Sequence, residues 1–229
     1  RNSVLQSTDK LEKIGKDGPP PYTWTPGRQW DISDANGDLN AEFRAAMDPL
    51  FPKKKDVDID DYEFGHLGKA LYGSFESMDY RHPEHGFWIE DNLTGEIQPQ
   101  TPTPLDFMLV MPKVDVASGI VPPFKTVVFQ HALGVCKETM IAIADSFAER
   151  GIATIGIDVA NLGSRTKDWD GTCLQDSLGF ITLDNPLAAR DNFRQTVVDQ
   201  FQFIQVVKHL SADFLPPFGE NDLDTSRLA

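Results

Sequence analysis

The stretch VVFQHALGVCKETM, residues 127–140, decides how this chain is read. An apolar, β-branched run stops at His131, a small-residue turn follows, and apolar residues then recur at helical spacing. KTVVFQHA, residues 125–132, has the pattern of a short buried strand. In KETMIAIADSFAER, residues 137–150, Met140, Ile141, Ala144, Phe147 and Ala148 fall on one helical face. Gly151 follows as a C-terminal cap, and IATIGIDVA, residues 152–160, is a second buried strand. Strand, helix, strand with unbroken apolar runs predicts an α/β fold with a mostly parallel sheet and helices on both faces.

Working outward, LDFMLVMPK, residues 105–113, is a strand ending at Pro112. A loop covers about residues 161–184. Asn185 then caps a helix with Pro186 at its first position. That helix runs about 25 residues, roughly 37 Å at 1.5 Å per residue, with Phe193, Val197, Phe201 and Ile204 along one expected core face. A last strand begins near Arg227. Residues 1–103 are expected to be an irregular region. They hold the polyproline-like KDGPPPYTW, a short helix in AEFRAAMDPLF (41–51) stopped by Pro52, and the charge run PKKKDVDIDDYEF. The turn-rich EDNLTGEIQPQTPTP, residues 90–104, marks a boundary or a hairpin. Residues 104–229 form the second expected domain.

The 21 basic residues against 35 acidic ones give a net charge of −14, which argues against a nucleic-acid partner. No apolar run reaches the 18 residues a membrane helix needs, and RNSVLQSTDK carries no signal-peptide core. Cys136 and Cys173 fit no zinc or redox spacing. In an oxidising compartment they can pair; otherwise they are two buried thiols.

Ligands bind beyond the carboxyl ends of strands in open parallel sheets, where residues 131–136 lie. A helix N-terminus follows, so free backbone N–H groups there favour negative charge. A donor at Leu133 could hold a developing oxyanion, worth roughly 3–4 kcal/mol of barrier in acyl transfer. VVFQHALGVCKETMIAIADSFAERGIATIGIDVANLGSR resembles the strand, oxyanion turn, helix and strand of α/β-hydrolases. AARDNFRQTVVDQFQFIQVVK with DLDTSRLA resembles the next helix and strand in bacterial extracellular lipases of the Pla-1/cef type. The resemblance covers residues 104–229, and Ala132 stands where that family usually has Gly.

The resemblance implies a secreted, periplasmic or cell-surface carboxylic-ester hydrolase, a lipase or esterase acting on an ester or lipid. It places the oxyanion N–H at Leu133, with His131 shaping the turn. Trp169, Leu178, Phe180 and Ile181 in the loop are candidates for an apolar pocket lip. Such enzymes need a G-x-S-x-G elbow, then an acid and a His. The sequence has no such elbow, so the triad is expected on sequence beyond Ala229 or on a second chain. The alternative is a non-catalytic α/β-hydrolase-like domain used for binding or adhesion.

Other motifs are weaker. HPEHG, residues 82–86, offers His82, Glu84 and His85 as metal ligands but lacks H-E-x-x-H spacing, and Pro83 implies a loop. SRTK at 164–167 has no S-D-N or K-T-G companion. His209 suits a helix C-terminal cap. Asp34, Asn36 and Asp38 resemble the opening of a Ca²⁺ loop, although Leu39 and Ala45 replace the Gly and Glu of an EF-hand. A structural Ca²⁺ there is the one cofactor expected, and an Asn-Gly turn with solvated acids is the other reading.

Overall fold

The computed structural model describes residues 23–34, 38–51, 59–91, 93–94, 96–167, 169–173, 177–210, 215 and 221–228. Its strands are β1 (Trp24–Asp31), β2 (Leu67–Asp79), β3 (Thr101–Pro112), β4 (Phe124–Gln130), β5 (Ile152–Ile157) and β6 (Leu223–Leu228). Its helices are α1 (Ala41–Met47), α2 (Ile141–Ala148) and α3 (Pro186–Lys208). The six strands form one open mixed sheet in the order β1-β2-β3-β5-β4-β6. The β1-β2-β3-β5 pairings are antiparallel, whereas β4 runs parallel to both β5 and β6.

Side-chain alternation along the strands assigns the two faces. Ala70, Met108 and Val110 face one way and pack with Phe43 and Met47 of α1 and Ile141, Ala144 and Ala148 of α2. Leu71, Phe75, Phe107, Leu109 and Met111 face the other way, with Ala153, Ile155 and Ile157 of β5, and meet Phe203, Val206 and Val207 of α3. Helices lie on both faces as expected, but three of the five strand pairings among the described residues are antiparallel, so the sheet is mixed rather than mostly parallel. The strand tips, turn and helix expected from residues 125–160 are present. The first turn of that helix, Lys137–Met140, is 3₁₀ rather than α. Gly151 is left-handed at φ +68°, as a C-terminal cap requires.

The first hundred residues supply β1 and β2, which no pattern in the sequence singled out. In β2 burial alternates from Leu71 to Ser77, but two of the inward positions are Gly73 and Ser77, so the sequence shows no alternating apolar pattern. The expected helix at 41–51 is present as α1 followed by the 3₁₀ turn Asp48–Leu50, and Asn40 caps it through Glu42 and Phe43 N–H. Glu90 bridges Ile97, so the turn-rich segment closes a small hairpin. β6 begins at Leu223, earlier than expected.

The long helix departs most from its expected orientation. Its N-cap is as read: Asn185 Oδ1 accepts from Ala188 N–H at 3.1 Å. The expected core face is not the inner one. Phe193 is 53% exposed and Val197 37%, while Asp191, Asn192, Gln195, Thr196, Asp199 and Gln202 are buried. The reason lies in β2. Beyond Phe75 that strand has β3 on one side and no β1 partner on the other. The polar face of α3 fills the gap. Gln195 accepts from Tyr80 N–H and donates to Met78 C=O, each at 2.9 Å. Gln202 accepts from Met78 N–H at 3.0 Å and from the Ser77 hydroxyl. Asp191 takes Trp88 N–H at 2.8 Å. Buried backbone groups need partners, and that requirement outweighs the amphipathic pattern here.

Candidate functional site

The strand-tip turn is held by His131, which is buried. Val159 N–H donates to its Nε2 at 3.0 Å, which leaves the ring proton on Nδ1, 2.8 Å from Ala132 C=O. The imidazole therefore braces the tip of β4 against the end of β5 and is enclosed. Ala132 needs no glycine, because the left-handed position of the turn is Gly134 at φ +83°. Leu133 is 42% exposed at the apex.

Beneath the turn lies a buried charged network. Asp158, one residue past β5, receives Lys137 N–H at 2.8 Å and Lys137 Nζ at 2.9 Å. It also accepts from Ser164 N–H and Oγ at 2.9 and 2.8 Å. Lys137 Nζ pairs with Glu138 at 3.1 Å, and the Tyr72 hydroxyl donates to Glu138 at 2.7 Å. Burial alone would lower the Lys137 pKa, yet Glu138 and Asp158 hold it above its ordinary value. Burial would raise the Asp158 carboxyl, but the charge of Lys137 and the hydrogen bonds it donates keep it well below the usual range. Burial and then Glu138 push the Tyr72 phenol well up. Lys137 is thus a fixed cation, unsuited to take a proton from Ser164. Gly163, at φ +58°, is required because a Cβ there would overlap the Asp158 carboxylate.

Cys136 and Cys173 are joined as a disulfide with Cα atoms 4.8 Å apart. It ties the base of the turn to the loop that carries Trp169. Trp169 borders an open pocket of about 540 Å³, together with Trp30, Met47, Tyr72, Glu138 and Ser164. The four lip candidates do not converge. Leu178 is exposed; Phe180 is buried, edge-on to Phe193 at 4.6 Å; and Ile181 packs on the cluster of Val159, Ala160, Leu162 and Phe180.

A second groove, about 480 Å³, lies between β4, α3 and β6 and is lined by Val128, Gln130, Gln200, Ile204, Lys208 and Leu228. β5 pairs with β4 along residues 125–130, but β6 reaches only to Thr126. The β6-side edge of β4 is therefore open, among the described residues, from Val127 to the turn. No Ser–His–acid triad occurs among the described residues.

Of the proposed cation ligands, Asp34 Oδ1 accepts Asp38 N–H at 3.0 Å, and Asn36 lies outside the described residues. His82, Glu84 and His85 do come together, with ligand atoms within 4.8 Å of one another. Cys136, Glu138 and Cys173 are equally close, but the sulfurs are bonded to each other. His209 caps α3 through Gln205 C=O at 2.7 Å. No helix among the described residues is long and apolar enough to cross a membrane.

Among solved structures, a crystal structure of a provisionally assigned acetyl xylan esterase from Bacteroides fragilis is similar to this chain. The two are 10% identical with a TM-score of 0.42, over 98% of this chain and 45% of that one. The chain thus spans less than half the length of that protein. No protein-family model and no curated protein matches the sequence.

Proposed function

We propose that this chain is the oxyanion-hole part of a serine carboxylic-ester hydrolase, a lipase or esterase. Leu133 N–H is the oxyanion donor, and the catalytic serine comes from sequence beyond Ala229 or from a second chain. The observation that carries this reading is the exposed Leu133 turn, braced by His131, at the tip of a strand whose neighbouring edge is open. A strand entering that edge parallel to β4 would end beside the turn and deliver a hydroxyl there. The serine attacks the ester carbonyl, an acid-oriented His takes and returns the proton, and the turn holds the oxyanion.

The pocket edged by Trp169 is the proposed site for part of the ester or lipid substrate, with Leu178, Phe180 and Ile181 shaping the loop around it. The disulfide supports a secreted, periplasmic or cell-surface location, since such bonds persist in oxidising compartments. A structural Ca²⁺ at Asp34, Asn36 and Asp38 belongs to this proposal without any role in the chemistry. Leu133→Pro removes the N–H and tests the assignment in the complete protein. We expect kcat for a short-chain ester to fall by about 10²–10³-fold, with KM and thermal midpoint little changed. An unchanged kcat in the folded variant refutes the donor.

A further inference from the structure

We propose that His82, Glu84 and His85 form a site for a borderline transition-metal ion of the Zn²⁺ class, separate from the hydrolase reading. Two imidazoles and one carboxylate are a donor set for zinc and its neighbours rather than for Ca²⁺ or Mg²⁺, which take oxygen ligands. The three side chains share one tight turn. Its backbone is fixed by His82 C=O, which accepts from His85 N–H at 3.2 Å and Gly86 N–H at 2.8 Å, and by His82 N–H donating to Phe87 C=O at 2.9 Å. Gly86 makes the bend possible at φ +71°.

The base of the turn is equally constrained. Arg81 bridges Trp88 in a short antiparallel contact, and its guanidinium binds Asp79, Asn161 and Asn192 at 2.7–3.0 Å. Little backbone entropy therefore remains to be lost when an ion binds. The His82 and His85 rings lie 4.5 Å apart, and His85 also stacks on Phe87. Ligand atoms within 4.8 Å must close to roughly 3.4 Å around a tetrahedral ion with bonds near 2.1 Å. Glu84 and His85 are exposed, and closing on an ion shifts His85 within its stack between His82 and Phe87. The hydrogen bond given up is a long one, from Glu84 N–H to His82 Nδ1 at 3.2 Å. The ion would also fasten the turn to the start of α3, because Asn185 Nδ2 donates to His85 C=O at 3.0 Å.

Titration calorimetry with ZnCl₂ on the intact, non-reduced protein tests the site. We expect one equivalent to bind, excess Ca²⁺ not to compete, and His82→Ala and His85→Ala each to weaken binding at least about tenfold. Glu84→Gln should weaken it less, and Zn²⁺ should raise the thermal midpoint of the wild type but not of His82→Ala/His85→Ala. Absence of Zn²⁺ binding, or equal binding by that double variant with an unchanged circular dichroism spectrum, overturns the proposal. Neither result bears on ester hydrolysis, so the two readings fail separately.

Discussion

Two regions of this molecule break opposite rules. Under the strand tips, Lys137, Glu138 and Asp158 are charged and almost wholly buried. Along the outer side of α3, Phe193 and Val197 are apolar and stand in water. Buried charge is costly unless fully paired, and here nearly every lone pair and proton has a partner within the network. Its effect is to lock the base of the strand-tip turn, and the proposed function needs fixed N–H directions there. The exposed stripe is only partly covered, Phe193 packing edge-on against Phe180 at 4.6 Å. Further along α3, Ile204 lines the groove beside the open edge of β4. The difference is that the buried charges find partners within the fold, whereas much of the apolar stripe is left to water.

Breaking the charged region should have the largest effect. Asp158→Asn removes the carboxylate that pairs with Lys137 Nζ and accepts from Lys137 N–H and Ser164, and is expected to cost about 3–5 kcal/mol in urea unfolding, as for other broken buried pairs. The double change Lys137→Met/Asp158→Asn should cost less than the sum of Lys137→Met and Asp158→Asn, and additive costs would show that the pair is not coupled. The pH dependence has a definite sign. The Asp158 pKa is depressed on folding, so its contribution is complete above the unfolded value near ~4 and lost as pH falls through the lower folded value. Asp158→Asn should flatten that acid limb.

The disulfide comes next. Cys136→Ser/Cys173→Ser removes a link across 37 residues and should cost about 2–4 kcal/mol. It should also free the Trp169 loop, seen as altered tryptophan fluorescence. An unchanged spectrum would show that the loop is positioned by Cys173 N–H donating to Leu50 C=O and its other contacts instead.

The smallest effect sharpens the comparison from the other side. Phe193→Ser should change stability by no more than about 0.5 kcal/mol if the stripe is open to water. A loss above about 2 kcal/mol would show that the stripe is covered in solution, as burial of such a side chain implies.

These regions also mark what could be read from residues alone. Short-range rules located β4, the turn, α2, β5 and the Asn185 cap, because each rests on neighbours within a few positions. The inward face of α3 was misread because Phe193, Val197, Phe201 and Ile204 form an apolar stripe, whereas the inner face is set by β2 backbone groups more than a hundred residues away. The Lys137–Asp158 network is hard to read because its members lie on the 3₁₀ turn after β4, the segment after β5 and strand β2. One signal was available: Lys137 and Glu138 follow directly on the buried turn, and charges so placed need partners. The His82, Glu84 and His85 cluster was visible as a motif, and only the folded turn gives its side chains a common point.

The central claim is that Leu133 N–H faces an oxyanion made by a serine entering beside β4. The direct test is to treat the native protein with a fluorophosphonate, map the label and determine the structure of the adduct. The account predicts a single labelled serine, outside residues 1–229, with its phosphoryl oxygen within hydrogen-bonding distance of Leu133 N–H. Absence of labelling, or a label whose phosphoryl oxygen lies away from that turn, contradicts it.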